Sequence, residues 1–265
     1  MPSEDMFSVE GKVCIVTGGA AGIGLGIVEA FDRAGARVLA IGRRANGADI
    51  IAPVAPNTRY VSADLKDPSS AETIVNAAVE AFGTVDILIN NAAQVENHPI
   101  GELTVEYLDS MAATNVRAVL LLIQEFTKVC RGQGKGGRIV NIGSLEGQVT
   151  CIEEGMGAYG ATKTAVAGLT VSLSRELGRY GINVNGIIPG CIVHPNMLAR
   201  GEDGIGLHEG ELEASFGKLI ARTNMKRLGR PDDIAHVCRF LASPASDYVS
   251  GQMIAVDGGV TINIG

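Results

Sequence analysis

Seven short runs of β-branched and aliphatic residues recur along the chain, separated by longer stretches with helical spacing. The runs are Lys12–Thr17, Arg37–Ile41, Arg59–Ser62, Val85–Asn90, Arg138–Gly143, Ile182–Ile188 and Gln252–Val256. They read as continuous apolar segments, which suits strands buried on both faces of a parallel sheet. The helical stretches are Ile23–Ala34, Ser69–Phe82, Val105–Arg131, Ala158–Tyr180 and Pro231–Leu241. Strand–helix alternation requires right-handed crossovers, so the expected fold class is α/β: one doubly wound parallel sheet with helices on both faces.

The chain has 265 residues, 46% hydrophobic and 19% charged, with no internal repeat and no linker-like stretch. This predicts a single domain over residues 1–265 with a sizeable core. The least regular segment is 194–225, rich in glycine and charge. It follows a strand, where ligands of open sheets sit, so it reads as a substrate lid or as an ordinary surface insertion. The net charge of −7 argues against a nucleic acid or an anionic membrane as partner. Five cysteines without a CxxC pair suit reduced thiols. The start, MPSEDMFSVEGK, lacks a basic leader, and no apolar run nears the ~20 residues of a membrane span. A cytoplasmic location is therefore expected. The four histidines are dispersed and no metal-ligand spacing occurs, so no metal is expected.

The first strand runs directly into Gly18-Gly19-Ala20-Ala21-Gly22-Ile23-Gly24 and then a helix. Glycine there permits unusual φ values and lets the backbone approach a pyrophosphate, while the helix start offers free N–H groups. The second strand ends at Gly42-Arg43-Arg44. A site for NAD would place a carboxylate there for the ribose hydroxyls. Two guanidinium groups instead suit a 2′-phosphate, which favours NADP(H) over NAD(H). Two solvated surface arginines would leave the same pattern.

Tyr159 and Lys163 are spaced i, i+4 at the start of a long helix, on one face. A nearby ammonium is expected to lower the phenol's pKa, so the pair could move a proton near neutral pH.

The segments TGGAAGIG (17–24), NNAA (90–93), Asn115, IGS (142–144), YGATK (159–163) and IIPG (187–190) occur in that order. RLGRPDDIA (227–235) and SGQMIAVDGG (250–259) follow. Together they resemble the short-chain dehydrogenase/reductase family over nearly the whole chain. The resemblance implies a Rossmann-type sheet of about seven strands, a homodimer or homotetramer, and hydride transfer between a nicotinamide and a small alcohol or ketone. It implies roles for residues as well. Tyr159 would give or take the substrate proton. Lys163 would hold the nicotinamide ribose and tune Tyr159. Ser144 would orient the substrate oxygen, and Asn115 would position a proton-relay water. Gly18, Gly22, Ile23 and Gly24 would line the pyrophosphate. Asp64 and Leu65 would lie by the adenine, Asn91 and Ala92 along the adenosine, and Pro189, Gly190 and Ile192 by the nicotinamide. A non-catalytic dinucleotide sensor would be expected to lose Tyr, Lys or Ser, and none is lost.

The sequence departs from the family in places. Ala93 replaces a common glycine. His194 stands where threonine often binds the carboxamide; it could do the same, face the substrate, or be a plain loop histidine. The second crossover, Gly42 to Asp64, is short and leaves room for only a turn or two of helix. The Ser144–Tyr159 loop is long and carries Glu146, Glu153 and Glu154. One of these in the pocket would favour a cationic or polyhydroxylated substrate; solvated loop glutamates are the alternative. Cys151 and Cys191 read as pocket lining or packing.

Overall fold

The first apolar run forms β1 (Val13–Thr17), buried at all five positions. It is a central strand, flanked on both sides by parallel strands, β2 (Arg37–Gly42) and β4 (Ile87–Asn90). Outward from these lie β3 (Arg59–Ser62) on one side and β5 (Gly137–Ile142), β6 (Ile182–Pro189) and β7 (Met253–Val256) on the other. The order is β3-β2-β1-β4-β5-β6-β7, and every pairing is parallel. The computed structural model describes residues 5–147, 154–193 and 209–262.

Side chains alternate across a strand, so β1 feeds two cores. Cys14 and Val16 pack with Ile27, Phe31, Ile234 and Leu241 on one face. Val13 and Ile15 pack with Leu39, Leu88, Phe126 and Val184 on the other. Helices α1 (Gly22–Arg33) and α8 (Pro231–Ala242) cover the first face. They approach so closely that a β-carbon on Gly26 would lie 2.3 Å from Pro231 Cβ. Helices α3 (Ser70–Phe82), α5 (Ala118–Gly132) and α6 (Gly157–Leu177) cover the second.

Two elements differ from the sequence reading, and a third follows it. The expected single helix over 105–131 is α4 (Val105–Ala112), a π-helical turn (Ala113–Arg117) and α5. A π-turn leaves the apolar periodicity nearly intact, so spacing alone does not reveal it. The second crossover helix, α2 (Gly47–Ile51), has five residues, as the short spacing required. Within the expected lid, Glu209–Arg222 form helix α7. Its Leu219 packs beside Leu145, Ile188 and Val260. Residues 194–208 of that segment, with His194, lie outside the described residues, as do Cys151 and Glu153.

Candidate active site

The carboxyl ends of the strands open into a cleft of about 1120 Å³. At its centre, β1 ends on the glycine turn. Gly18 has φ +69° and Gly22 φ +51°, both in the left-handed region. A β-carbon on Gly22 would meet nothing within 4 Å, so backbone faces open cleft there. One on Gly24 would lie 2.1 Å from the Gly18 carbonyl oxygen, so that glycine permits the turn to close on the helix. The N-cap, Ala21, has no side-chain acceptor for the first N–H groups of α1. A strand end, a glycine cradle and a helix N-terminus fit a pyrophosphate.

The turn is held from β4. The buried Thr17 hydroxyl accepts from the N–H of Asn91 and of Ala92, each at 3.0 Å. Asn91 Nδ2 donates to the Thr17 carbonyl at 2.9 Å. A β-carbon on Gly18 would lie 2.8 Å from that nitrogen. Asn91 therefore braces the turn as well as lining the cleft.

At one end of the cleft, β2 delivers Gly42, Arg43 and Arg44, with Asp64 and Leu65 opposite. Asp64 accepts from the N–H of Lys66 at 2.9 Å, and its carbonyl accepts from Ser70 Oγ at 2.7 Å, so it anchors the start of α3.

At the other end, the loop after β5 carries Ser144 and α6 carries Tyr159 and Lys163. Ser144 Oγ accepts from the N–H of Glu146 at 3.1 Å. Lys163 is 3% exposed; its ammonium donates to the Ile142 carbonyl at 2.7 Å and lies 5.8 Å from the centroid of the Tyr159 ring. Burial alone pushes Lys163 down to about 8. The Tyr159 phenol is raised above the ordinary tyrosine value, which corrects the expected lowering. Its own burial is the main cause. A hydrogen bond from Ser144 pulls the other way, and the nearby Glu146 carboxylate raises it further. The desolvation that confines a reactive phenol outweighs the help of its neighbours.

The structure brings together every expected site residue except Gly24 and Asn115 along the cleft wall. Asn115 stands one layer behind, in the π-turn, 1% exposed. Its Oδ1 accepts from the N–H of Gln94 at 2.8 Å. Its Nδ2 donates to the Gln94 carbonyl and to Thr162 Oγ1, each at 3.0 Å. It ties the segment following β4 to the helix of Tyr159. Of the loop glutamates, Glu154 is exposed and Glu146 is buried.

Residues the sequence did not single out also line the wall: Gln94, Val95 and Thr114, and Ala45, Asn46 and Ile50. They belong to no motif; only the chain's path brings them there. Behind Tyr159 lie Tyr107, Met111 and Met156. The Tyr107 hydroxyl donates to the Glu96 carbonyl at 2.9 Å, and the His98 ring lies tilted by 38° against the Tyr107 ring with centroids 4.0 Å apart. A second hollow of about 510 Å³ shares Gly190 and Ile192 with the cleft and includes Cys191. Among the described residues no group of acidic, histidine or cysteine side chains could hold a metal ion, and no helix is long and apolar enough to cross a membrane.

Comparison with known proteins agrees with this geometry. A family model described as enoyl-(acyl carrier protein) reductase matches residues 18–261. The chain is 36% identical to sorbitol dehydrogenase of Cereibacter sphaeroides over 255 residues, covering 95% of this chain and 98% of that one. It is 35% identical to galactitol 2-dehydrogenase of Agrobacterium fabrum, covering 94% and 96%. A crystal structure, with NADP bound, of an Agrobacterium tumefaciens protein assigned as a 2-deoxy-D-gluconate 3-dehydrogenase superposes with a TM-score of 0.82 at 33% identity, covering 97% and 99%. The chain thus belongs to the short-chain dehydrogenase/reductase family, NAD(P)-dependent enzymes that act on CH–OH and C=O groups.

Proposed function

We propose that this enzyme interconverts a secondary alcohol and a ketone with NADP(H). The observation that carries the reading is the convergence of Ser144, Tyr159 and Lys163 at one end of a cleft whose other end holds Arg43 and Arg44. The reduced nicotinamide supplies the hydride when bound. Gly18, Gly22, Ile23 and Gly24 would hold the pyrophosphate by backbone N–H groups, with Asp64, Leu65, Asn91 and Ala92 along the adenosine. Pro189, Gly190 and Ile192 would border the nicotinamide.

Ser144 and Tyr159 would each donate a hydrogen bond to the substrate oxygen as negative charge builds there, and Tyr159 would deliver its proton. A neutral phenol is the required form, and the raised pKa keeps it so. Lys163, charged below about 8, would then stabilise the phenolate left behind. Oxidation runs the same steps backwards, with Tyr159 as base. The buried Glu146 near Tyr159 suits a substrate rich in hydroxyl groups. The polyol names of the relatives point the same way, so sorbitol and galactitol head the test panel.

Thermal unfolding with NADP⁺, NAD⁺ or neither tests the nucleotide choice. A ligand at 100 times its dissociation constant should add about 2.7 kcal/mol to stability. A shift with NADP⁺ is expected; a shift with NAD⁺ alone refutes the arginine assignment. In Tyr159→Phe, turnover should fall at least about hundredfold while the nucleotide-induced shift persists. Retained turnover would remove Tyr159 from the chemistry.

A further inference from the structure

Two hydroxyls on β3 hold the backbone of the arginine turn. Tyr60 Oη donates to the Arg44 carbonyl at 2.7 Å, and Ser62 Oγ donates to the Arg43 carbonyl at 3.3 Å. Residues two apart share one face of a strand, so the pair acts from the same side. The register sets Ala40 opposite Tyr60 and Gly42 opposite Ser62, which places both beside the end of β2.

The Tyr60 ring also explains two glycines. A β-carbon on Gly47 would lie 2.1 Å from Tyr60 Cζ, and one on Gly42 would lie 2.9 Å from Tyr60 Oη. Neither glycine is among those with positive φ, so the backbone does not demand glycine at either position. At Gly47 the ring itself does; at Gly42 the phenol oxygen is what a side chain would have to push aside. Position 42 is where a carboxylate would have to stand to take the ribose hydroxyls of NAD. While Tyr60 keeps its place, no such side chain fits without displacing it.

We propose that Tyr60 is a positioning residue for the adenosine 2′-phosphate: it bars a ribose-binding carboxylate from position 42 and fixes the Arg43–Arg44 turn at the cleft. The proposal rests on the NADP(H) reading above. Burial raises the Tyr60 phenol above the ordinary tyrosine value, with the Arg44 guanidinium pulling the other way. The hydroxyl therefore remains a donor at neutral pH.

The test is calorimetric titration of the full chain with 2′,5′-ADP and with 5′-AMP, which differ only in the 2′-phosphate. The wild type should bind 2′,5′-ADP more tightly. Tyr60→Phe should weaken 2′,5′-ADP about fivefold, the value of one hydrogen bond, and leave 5′-AMP unchanged. Ser62→Ala, at an exposed position, should show the same signature at smaller size. Gly42→Asp alone should gain no NAD⁺ affinity, whereas Gly42→Asp combined with Tyr60→Ala should gain it. If Tyr60→Phe weakens both nucleotides equally, or neither, while Arg43→Ala abolishes the preference, Tyr60 has no part in selectivity. If the wild type shows no preference for 2′,5′-ADP, the NADP(H) reading itself falls.

Discussion

Lys163 is a charged side chain with almost no access to water, and the cost of keeping it there is legible in its pKa of about 8 against 10.5. Between those values the unfolded chain binds more protons than the folded one, so this group's contribution makes stability rise with pH across that window. Below pH 8 the penalty is present in full, on the order of 3 kcal/mol. The hydrogen bond to Ile142 returns about 1 kcal/mol of it. Lys163→Met should therefore raise stability at pH 7 by about 2 kcal/mol, a few degrees in Tm. The gain should fade as pH rises from 8 to 10.5, and turnover should be lost. Urea melts of both proteins at pH 7 and pH 10 check this. A variant less stable than wild type at pH 7 would mean that the bond to Ile142 outweighs the desolvation. The Tyr159–Lys163 pairing was legible from i, i+4 spacing. The sign of the Tyr159 shift was not, because spacing says nothing of how much protein covers a phenol.

At the scale of elements, the seven strands were legible because burial on both faces leaves unbroken apolar runs. Their ends shift by no more than two residues. Two elements escaped. Helix α7 lies in a segment whose glycine and charge mask any apolar stripe, and the π-turn sits inside a helix whose periodicity continues past it. That turn places Asn115 so that one buried amide satisfies both backbone groups of Gln94 and the hydroxyl of Thr162. Asn115→Leu fills similar volume but leaves the Gln94 N–H and carbonyl without those partners. Its expected cost is about 3 kcal/mol. Because Gln94 lines the same cleft as Tyr159, and Asn115 also holds Thr162 in the helix of Tyr159, the Michaelis constant for substrate should rise together with a fall in kcat. Melting temperature and steady-state kinetics measure the two effects. Unchanged kinetics in a destabilised variant would confine Asn115 to holding the fold.

For the whole molecule, the question is what covers α6. Its small residues Gly160, Ala161, Ala165, Ala167 and Gly168 would allow another helix to approach closely, and the structure divides them. Gly160 is used within the chain: a β-carbon there would lie 3.1 Å from the Gly147 nitrogen, against the loop that carries Ser144. Ala161, Thr164, Ala165, Gly168 and Val171 instead face outward, Val171 being 55% exposed. The stripe runs for about three turns without a charge, ending only at Arg175 and Glu176. Small residues let two helix backbones approach closely, and an uncharged face loses little on being dried. We therefore expect a homodimer or homotetramer built on this face. Sedimentation should give a species larger than the 27.5 kDa chain. Ala165→Arg, at an exposed position away from the cleft, should shift it toward the monomer without changing the fold. A β-carbon on Gly168 would meet nothing within 4 Å, so Gly168→Leu probes the same face without charge. It should weaken association if the backbones pack there and leave the monomer's own stability untouched. Sedimentation of the wild type at the mass of one chain would refute the assembly outright. A larger species that neither substitution perturbs would place the contact elsewhere on the surface.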